Sequence, residues 1–191
     1  MKNTIAPLDG QIGLFLTDMR ERAVDVARRG FRVFKLGVNS KLPAVERFYE
    51  VASSDPKRVR EMWTCPVSGD SLDNNIGIAT GDGLVVLDVD VRKRPTEKQT
   101  GKQRRKSAGA PHGLDALRKL KKDWGLSTKT IKARTPSGGH HFYYSLPPSL
   151  RMPNSASAIA PGIDVRGHHG YVAAPGSVIN GREYVWEVED V

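Results

Sequence analysis

The chain has 191 residues, 38% of them hydrophobic and 27% charged, the proportions of a soluble globular protein with enough length for one proper core. Thirty Lys and Arg against 21 Asp and Glu give a net charge of +9 and an isoelectric point near 9.8, which favours a polyanionic partner such as nucleic acid or nucleotides. No apolar run approaches the roughly 18 residues of a membrane span, and the first residues lack the apolar stretch of a secretion signal. The single cysteine, Cys65, excludes an internal disulfide and any zinc site built on paired cysteines. A cytoplasmic protein without membrane association is expected.

Residues 11–29 place Ile12, Phe15, Leu16, Met19, Ala23, Val26 and Ala27 at helical spacing on one face, and Arg28, Arg29 and Gly30 supply the stop signals. Residues 31–36 alternate like a strand, 37–43 form a loop, and Asp55-Pro56 is a capped helix start leading to Trp63. Ile76-Gly77-Ile78-Ala79 and Leu84 to Val89 read as strands joined by Thr80-Gly81-Asp82-Gly83. That is hairpin chemistry, and so short a connection predicts that the two strands pair antiparallel. Residues 92–113 then set Arg92, Lys93, Arg94, Lys98, Lys102, Arg104, Arg105 and Lys106 against a lone acid, Glu97, so a mobile basic loop is expected there. Its function is either mere solvation or the holding of a nucleic-acid backbone. A short helix follows over 114–124 with Leu114, Leu117 and Leu120 inward and Gly125 at its end. Strands are expected at 130–134, 142–145, 162–167, 171–175 and 183–187, with a Pro/Ser-rich loop over 147–161. Hairpins mixed with helices point to an α+β fold.

The most informative stretch is Leu84-Val85-Val86-Leu87-Asp88-Val89-Asp90. A buried strand delivers two carboxylates to its end, and alternation puts Asp88 and Asp90 on one face. Two like charges so close repel unless a cation sits between them, so the end of this strand is a natural seat for a divalent metal. A lone Asp-x-Asp also ends ordinary strands in solvated acids. Two further groups share the theme. Ser137-Gly138-Gly139-His140-His141 is a glycine pair between strands, able to line an anion-binding concavity with a histidine beside it. Asp164-Val165-Arg166 sets a carboxylate and a guanidinium on one strand face, either as an ordinary ion pair or as a metal-facing acid with an arginine for a triphosphate.

Acid pair, glycine turn with histidine, then acid with arginine is the equipment of metal-dependent nucleotidyl transfer. In these motifs the sequence resembles the bifunctional DNA primase/polymerase (prim-pol) domain of the archaeo-eukaryotic primase superfamily. The matching segments are Asn75 to Gly81 with Leu84 to Asp90, Thr135 to Tyr144, Gly162 to Gly167 and Gly170 to Pro175; the opening helix, Arg29-Gly30-Phe31 and Lys41-Leu42-Pro43 are also similar. The resemblance covers nearly the whole chain and implies a single catalytic domain over 1–191. Its implied fold is a primase-like core, a small α/β lobe packed on a recognition-motif-like mixed-sheet lobe with the active-site cleft between them. It implies that Asp88, Asp90 and Asp164 hold two divalent ions, Mg2+ or Mn2+. By the same resemblance His141, with His140 as the fallback, meets the phosphates of the incoming nucleotide, and Ser137, Gly138, Gly139 and Arg166 line the triphosphate pocket. The implied activity is template-directed addition of nucleoside triphosphates to a primer 3′-hydroxyl in replication of a plasmid, phage or prophage element. Its implied partners are a single-stranded DNA template, a primer, nucleoside triphosphates, and a helicase or accessory helical domain in a longer protein. The basic segment 92–113 is long for its position. The chain runs only a little beyond Trp186, so extension is expected more firmly than initiation. The competing expectations are a metal-dependent nuclease or phosphoesterase, and an inactive module that binds single-stranded nucleic acid.

Overall fold

The computed structural model describes residues 18–91, 113–147 and 149–187. The first helix, α1 (Met19–Arg28), begins where the Asp18 side chain accepts the Glu21 N–H at 2.9 Å, and ends at Gly30, whose φ of +88° suits glycine. Residues 11–17 of the expected longer helix lie outside the described residues. Strand β1 (Val33–Lys35) and a single turn, α2 (Phe48–Val51), precede α3 (Pro56–Met62). The predicted cap holds: Asp55 accepts from Lys57 N–H at 3.0 Å and Pro56 opens the first turn. Helices α1 and α3 pack together, their apolar residues Ala23, Val24 and Val59 buried and a Glu21–Arg60 ion pair closing the outside.

Strands β2 (Ile76–Ala79) and β3 (Leu84–Val89) do not form the expected hairpin. The turn itself is as read: Gly81 and Leu84 exchange two backbone hydrogen bonds at 2.8 and 3.0 Å, with Asp82 and Gly83 both at positive φ. Pairing ends after that one bridge, because Thr80 N–H donates to Gly170 O instead. The chain then parts into two sheets. The smaller has the order β1-β2-β8, where β8 is Tyr171–Ala173. Gly77 in β2 is required by crowding, since a Cβ there would lie 2.5 Å from the Phe34 ring.

The larger sheet runs β11-β4-β5-β3-β7-β6, with β4 Lys132–Arg134, β5 His140–Ser145, β6 Ser155–Ala160, β7 Ile163–Arg166 and β11 Val185–Glu187. Every described pairing in it is antiparallel, where a mixed sheet was expected. β6 lies inside what the sequence presented as a loop. It is an edge strand with an irregular register and mostly exposed side chains, so it carries no alternating apolar signal. β9 (Val178–Ile179) and β10 (Arg182–Glu183) form a small separate ladder; the expected strand 183–187 is broken at Tyr184.

Two layers cover the larger sheet. On one face Val85, Leu87 and Val89 pack with Phe142, Ile163 and Val165 against Leu117 and Leu120 of α4 (Gly113–Trp124). On the other, Val86, Ala133 and Tyr143 share a core with Val33, Ile76, Ile78 and Val172 of the smaller sheet and with α1. Each fully buried aliphatic side chain in these layers contributes about 1.5–3 kcal/mol. The fold is thus α+β, two antiparallel sheets facing each other across a shared core. Among the described residues no helix is long and apolar enough to cross a membrane.

Candidate active site

At the end of the shared core the two sheets diverge, leaving a cleft of about 370 Å³. Its wall on the larger sheet follows from strand register. Asp88 of β3 lies opposite His141 of β5 on one side and Asp164 of β7 on the other. These three side chains therefore share a face, two residues along from the buried Val86–Tyr143 pair. Arg166, one alternation further on β7, reaches back so that its Nη2 lies 3.0 Å from Asp164 Oδ2 and 3.4 Å from Asp88 Oδ2. Asp90, just past the strand end, lines the same cleft as Asp88.

The two histidines separate cleanly. His141 is 4% exposed, lines the cleft and sets Nε2 3.5 Å from Asp88 Oδ1. His140 faces the opposite side, with Nε2 3.4 Å from Glu187 Oε2. Burial, helped by the nearby Arg166 charge, pushes the His141 pKa down to about 3, so the imidazole is neutral at physiological pH. It can offer a hydrogen bond but not a positive charge, and its Nδ1 has no partner among the described residues. Asp88 moves the other way. Burial raises its pKa, Arg166 opposes that shift, and Asp164 reinforces it.

The glycine turn is built differently from expectation. Gly138 N–H donates to Thr135 O at 2.9 Å and Gly139 N–H to Thr135 Oγ1 at 3.0 Å, so both amides are engaged within the turn rather than aimed into the cleft. Gly139 is demanded by packing, because a Cβ would sit 2.5 Å from Val89 O. Ser137 does line the cleft, and its hydroxyl lies 3.0 Å from Thr135 Oγ1. Asp164 does not line it directly. Its Oδ2 is taken by Arg166 Nη2, and its Oδ1 accepts the Ser157 N–H at 2.9 Å. Motif reading assigned no role to Tyr184, Tyr171, His169 and Asn154, which also line the cleft. Tyr184 sits at the break between β10 and β11, a bend with no sequence signal of its own; burial together with Asp88 and Asp90 pushes its hydroxyl up to about 12.

Among the described residues no three His, Cys, Asp or Glu side chains form a ready-made metal cage. The donors nevertheless suit a hard divalent ion. Asp88, Asp90 and the neighbouring Asp164 are all carboxylate oxygen donors, and Mg2+ commonly takes one or two carboxylates plus substrate phosphates. The raised pKa of Asp88 shows a carboxylate whose charge Arg166 leaves under-compensated, the condition a bound cation relieves. The expected basic loop lies outside the described residues apart from its last residue, Gly113, which belongs to α4. Gly113 N–H donates to Asp90 O at 2.8 Å, which sets the start of α4 beside Asp90.

The fold and its cleft are thus those of an α+β protein with paired acids, an arginine and a neutral histidine gathered between two antiparallel sheets. The chain belongs to the bifunctional DNA primase/polymerase, N-terminal family, whose model matches residues 23–190. A search of curated protein sequences gives no significant match.

Proposed function

We propose that residues 1–191 form one catalytic domain of a DNA primase/polymerase with a primase-like core, the smaller sheet and its helices making one lobe and the larger sheet the other. It would add nucleoside triphosphates to a primer 3′-hydroxyl on a single-stranded DNA template, in the replication of a plasmid, phage or prophage element. The observation that carries this is the register that sets Asp88 against both His141 and Asp164, with Arg166 touching both acids, inside the family span.

In this mechanism the chain mainly positions and neutralises. Arg166 is held beside the acids by part-exposed contacts, and a triphosphate, carrying more charge than either carboxylate, competes for the same guanidinium. Neutral His141 donates one hydrogen bond to a phosphate oxygen from a fixed, buried ring. Ser137 supplies a hydroxyl at the same rim, while Gly138 and Gly139 shape the turn that places it. Two divalent ions, Mg2+ or Mn2+ on Asp88, Asp90 and Asp164, would supply activation of the 3′-hydroxyl and charge stabilisation of the leaving pyrophosphate. A helicase or accessory helical domain in a longer protein would complete initiation.

The test is nucleotide incorporation on a labelled template, with and without an annealed primer, in Mg2+ and in Mn2+. Extension by the unaltered chain, reduced at least 1,000-fold in Asp88→Ala with template binding retained, is the expected result. Products without a primer would add initiation. Shortened strands would instead mark a nuclease, and template binding without any incorporation a binding module. Activity surviving in Asp88→Ala would remove Asp88 from the chemistry.

A further inference from the structure

The wall of the cleft opposite the acids carries one cation, Lys41, on the 37–43 loop of the smaller sheet. That loop is closed on itself: Gly37 N–H donates to Leu42 O at 2.9 Å, and Leu36 bridges Pro43. It is also pinned from beneath. Asn75, 2% exposed, donates through Nδ2 to Ser40 O at 3.1 Å and to Val178 O at 2.8 Å, while its Oδ1 accepts Val178 N–H at 2.9 Å. Asn39, at φ +50°, accepts Asn180 N–H at 2.6 Å. A buried asparagine satisfied on both ends of its amide fixes backbone geometry far better than an open loop does. The Lys41 backbone is therefore set in place, with a flexible ammonium at the end of a long stem.

Lys41 is close enough for its charge to act on Asp88 and His141, yet it makes no ion pair among the described residues. Arg166 takes both carboxylates from the other wall. A lysine built into an acid-lined cleft without an acid partner among the described residues suits a ligand of higher negative charge than a carboxylate.

Resting on the nucleotide reading above, we propose that Lys41 binds the phosphates of the nucleoside triphosphate from the wall opposite Asp88 and Arg166. The bound nucleotide then links the loop of the smaller sheet to the strands of the larger one. Lys41 acts in this as a ligand-binding residue that favours triphosphate over nucleoside.

Calorimetric titration of the full chain with dATP, deoxyadenosine and a single-stranded oligonucleotide, in Mg2+, tests this beside Lys41→Ala, Lys41→Arg and Arg166→Ala. Lys41→Ala should bind dATP about tenfold more weakly, the loss of one hydrogen bond to a charged group. Its affinity for the oligonucleotide should stay within about twofold, Lys41→Arg should recover most of the loss, and the thermal midpoint should not move, because the side chain is exposed. Unchanged dATP affinity in Lys41→Ala, alongside a loss in Arg166→Ala, would overturn the role of Lys41 and leave the nucleotide site standing. Weakened oligonucleotide binding with dATP unaffected would also overturn it, moving Lys41 to the template backbone. An unaltered chain that binds no dATP would overturn the nucleotide reading itself, and this proposal with it.

Discussion

The two faces of β3 are put to opposite uses. Val85, Leu87 and Val89 lie under α4 in a continuous apolar layer. One residue out of phase, Val86 lies in the core between the sheets and Asp88 in the cleft at its end, followed by Asp90. The same backbone thus supports a dry face along its whole length and a face that turns polar at the point where the two sheets part. The neighbouring strands repeat the division: Phe142 and His140 lie on the α4 side of β5, His141 and Tyr143 on the cleft side. Chemistry here depends on register, because a slip of one residue would exchange every one of these positions.

The sharpest way to break this contrast is to place a charge on the dry face. Val89→Asp buries a carboxylate without a partner and should destabilise by about 3–5 kcal/mol or more, a large share of the 5–15 kcal/mol typical of a domain. Loss of the cooperative urea transition at 25 °C is the expected result; an unchanged midpoint would mean that α4 does not seal that face. On the cleft face the largest stability effect belongs to His141. Its pKa falls from 6.5 when unfolded to about 3 when folded, so the unfolded chain binds the proton first. Stability is therefore full above pH 6.5 and falls on acidification by up to about 1.4 kcal/mol per pH unit until pH 3. Urea midpoints at pH 7, 5 and 4 should show this slope in the unaltered chain and its reduction in His141→Gln. Equal slopes would place the imidazole in a wetter setting than the cleft described here.

The smallest effect has the opposite sign. Asp88 is charged against the penalty of burial and the repulsion of Asp164, with Arg166 compensating only in part. Its folded pKa is raised, so its contribution to stability declines as pH rises through the carboxylate range. Asp88→Asn should thus raise the thermal midpoint slightly while abolishing incorporation, as expected where a functional site holds strained charge. A lower midpoint would show that the Arg166 contact outweighs burial.

Much of this was legible from local patterns. The cap at Asp55, the stops at Gly30 and Gly125, the helix face of Leu117 and Leu120, and the acidic strand 84–90 all depend on neighbours within a few residues, which the sequence displays directly, whereas the cap at Asp18 was not read. The hairpin over 76–89 misled because its turn is genuine while the pairing beyond it is decided by competitors: β8 and β1 claim β2, and β5 and β7 claim β3. Strand β6 was invisible because an exposed edge needs no apolar alternation. The glycine pair was seen, but its cause lay with Val89 O of another strand and with the way the turn folds back on its own Thr135.

The sequence by itself singled out the candidate residues, since the residue types in Asp88-x-Asp90, Ser137 to His141 and Asp164-x-Arg166 are local and few. It could not choose between His140 and His141, foresee Lys41 across the cleft with no ion pair among the described residues, or hide the amides of Gly138 and Gly139. Those were decided by tertiary structure: strand order and register set which face each side chain takes, and only the packing of one sheet against the other made the cleft and its opposite wall.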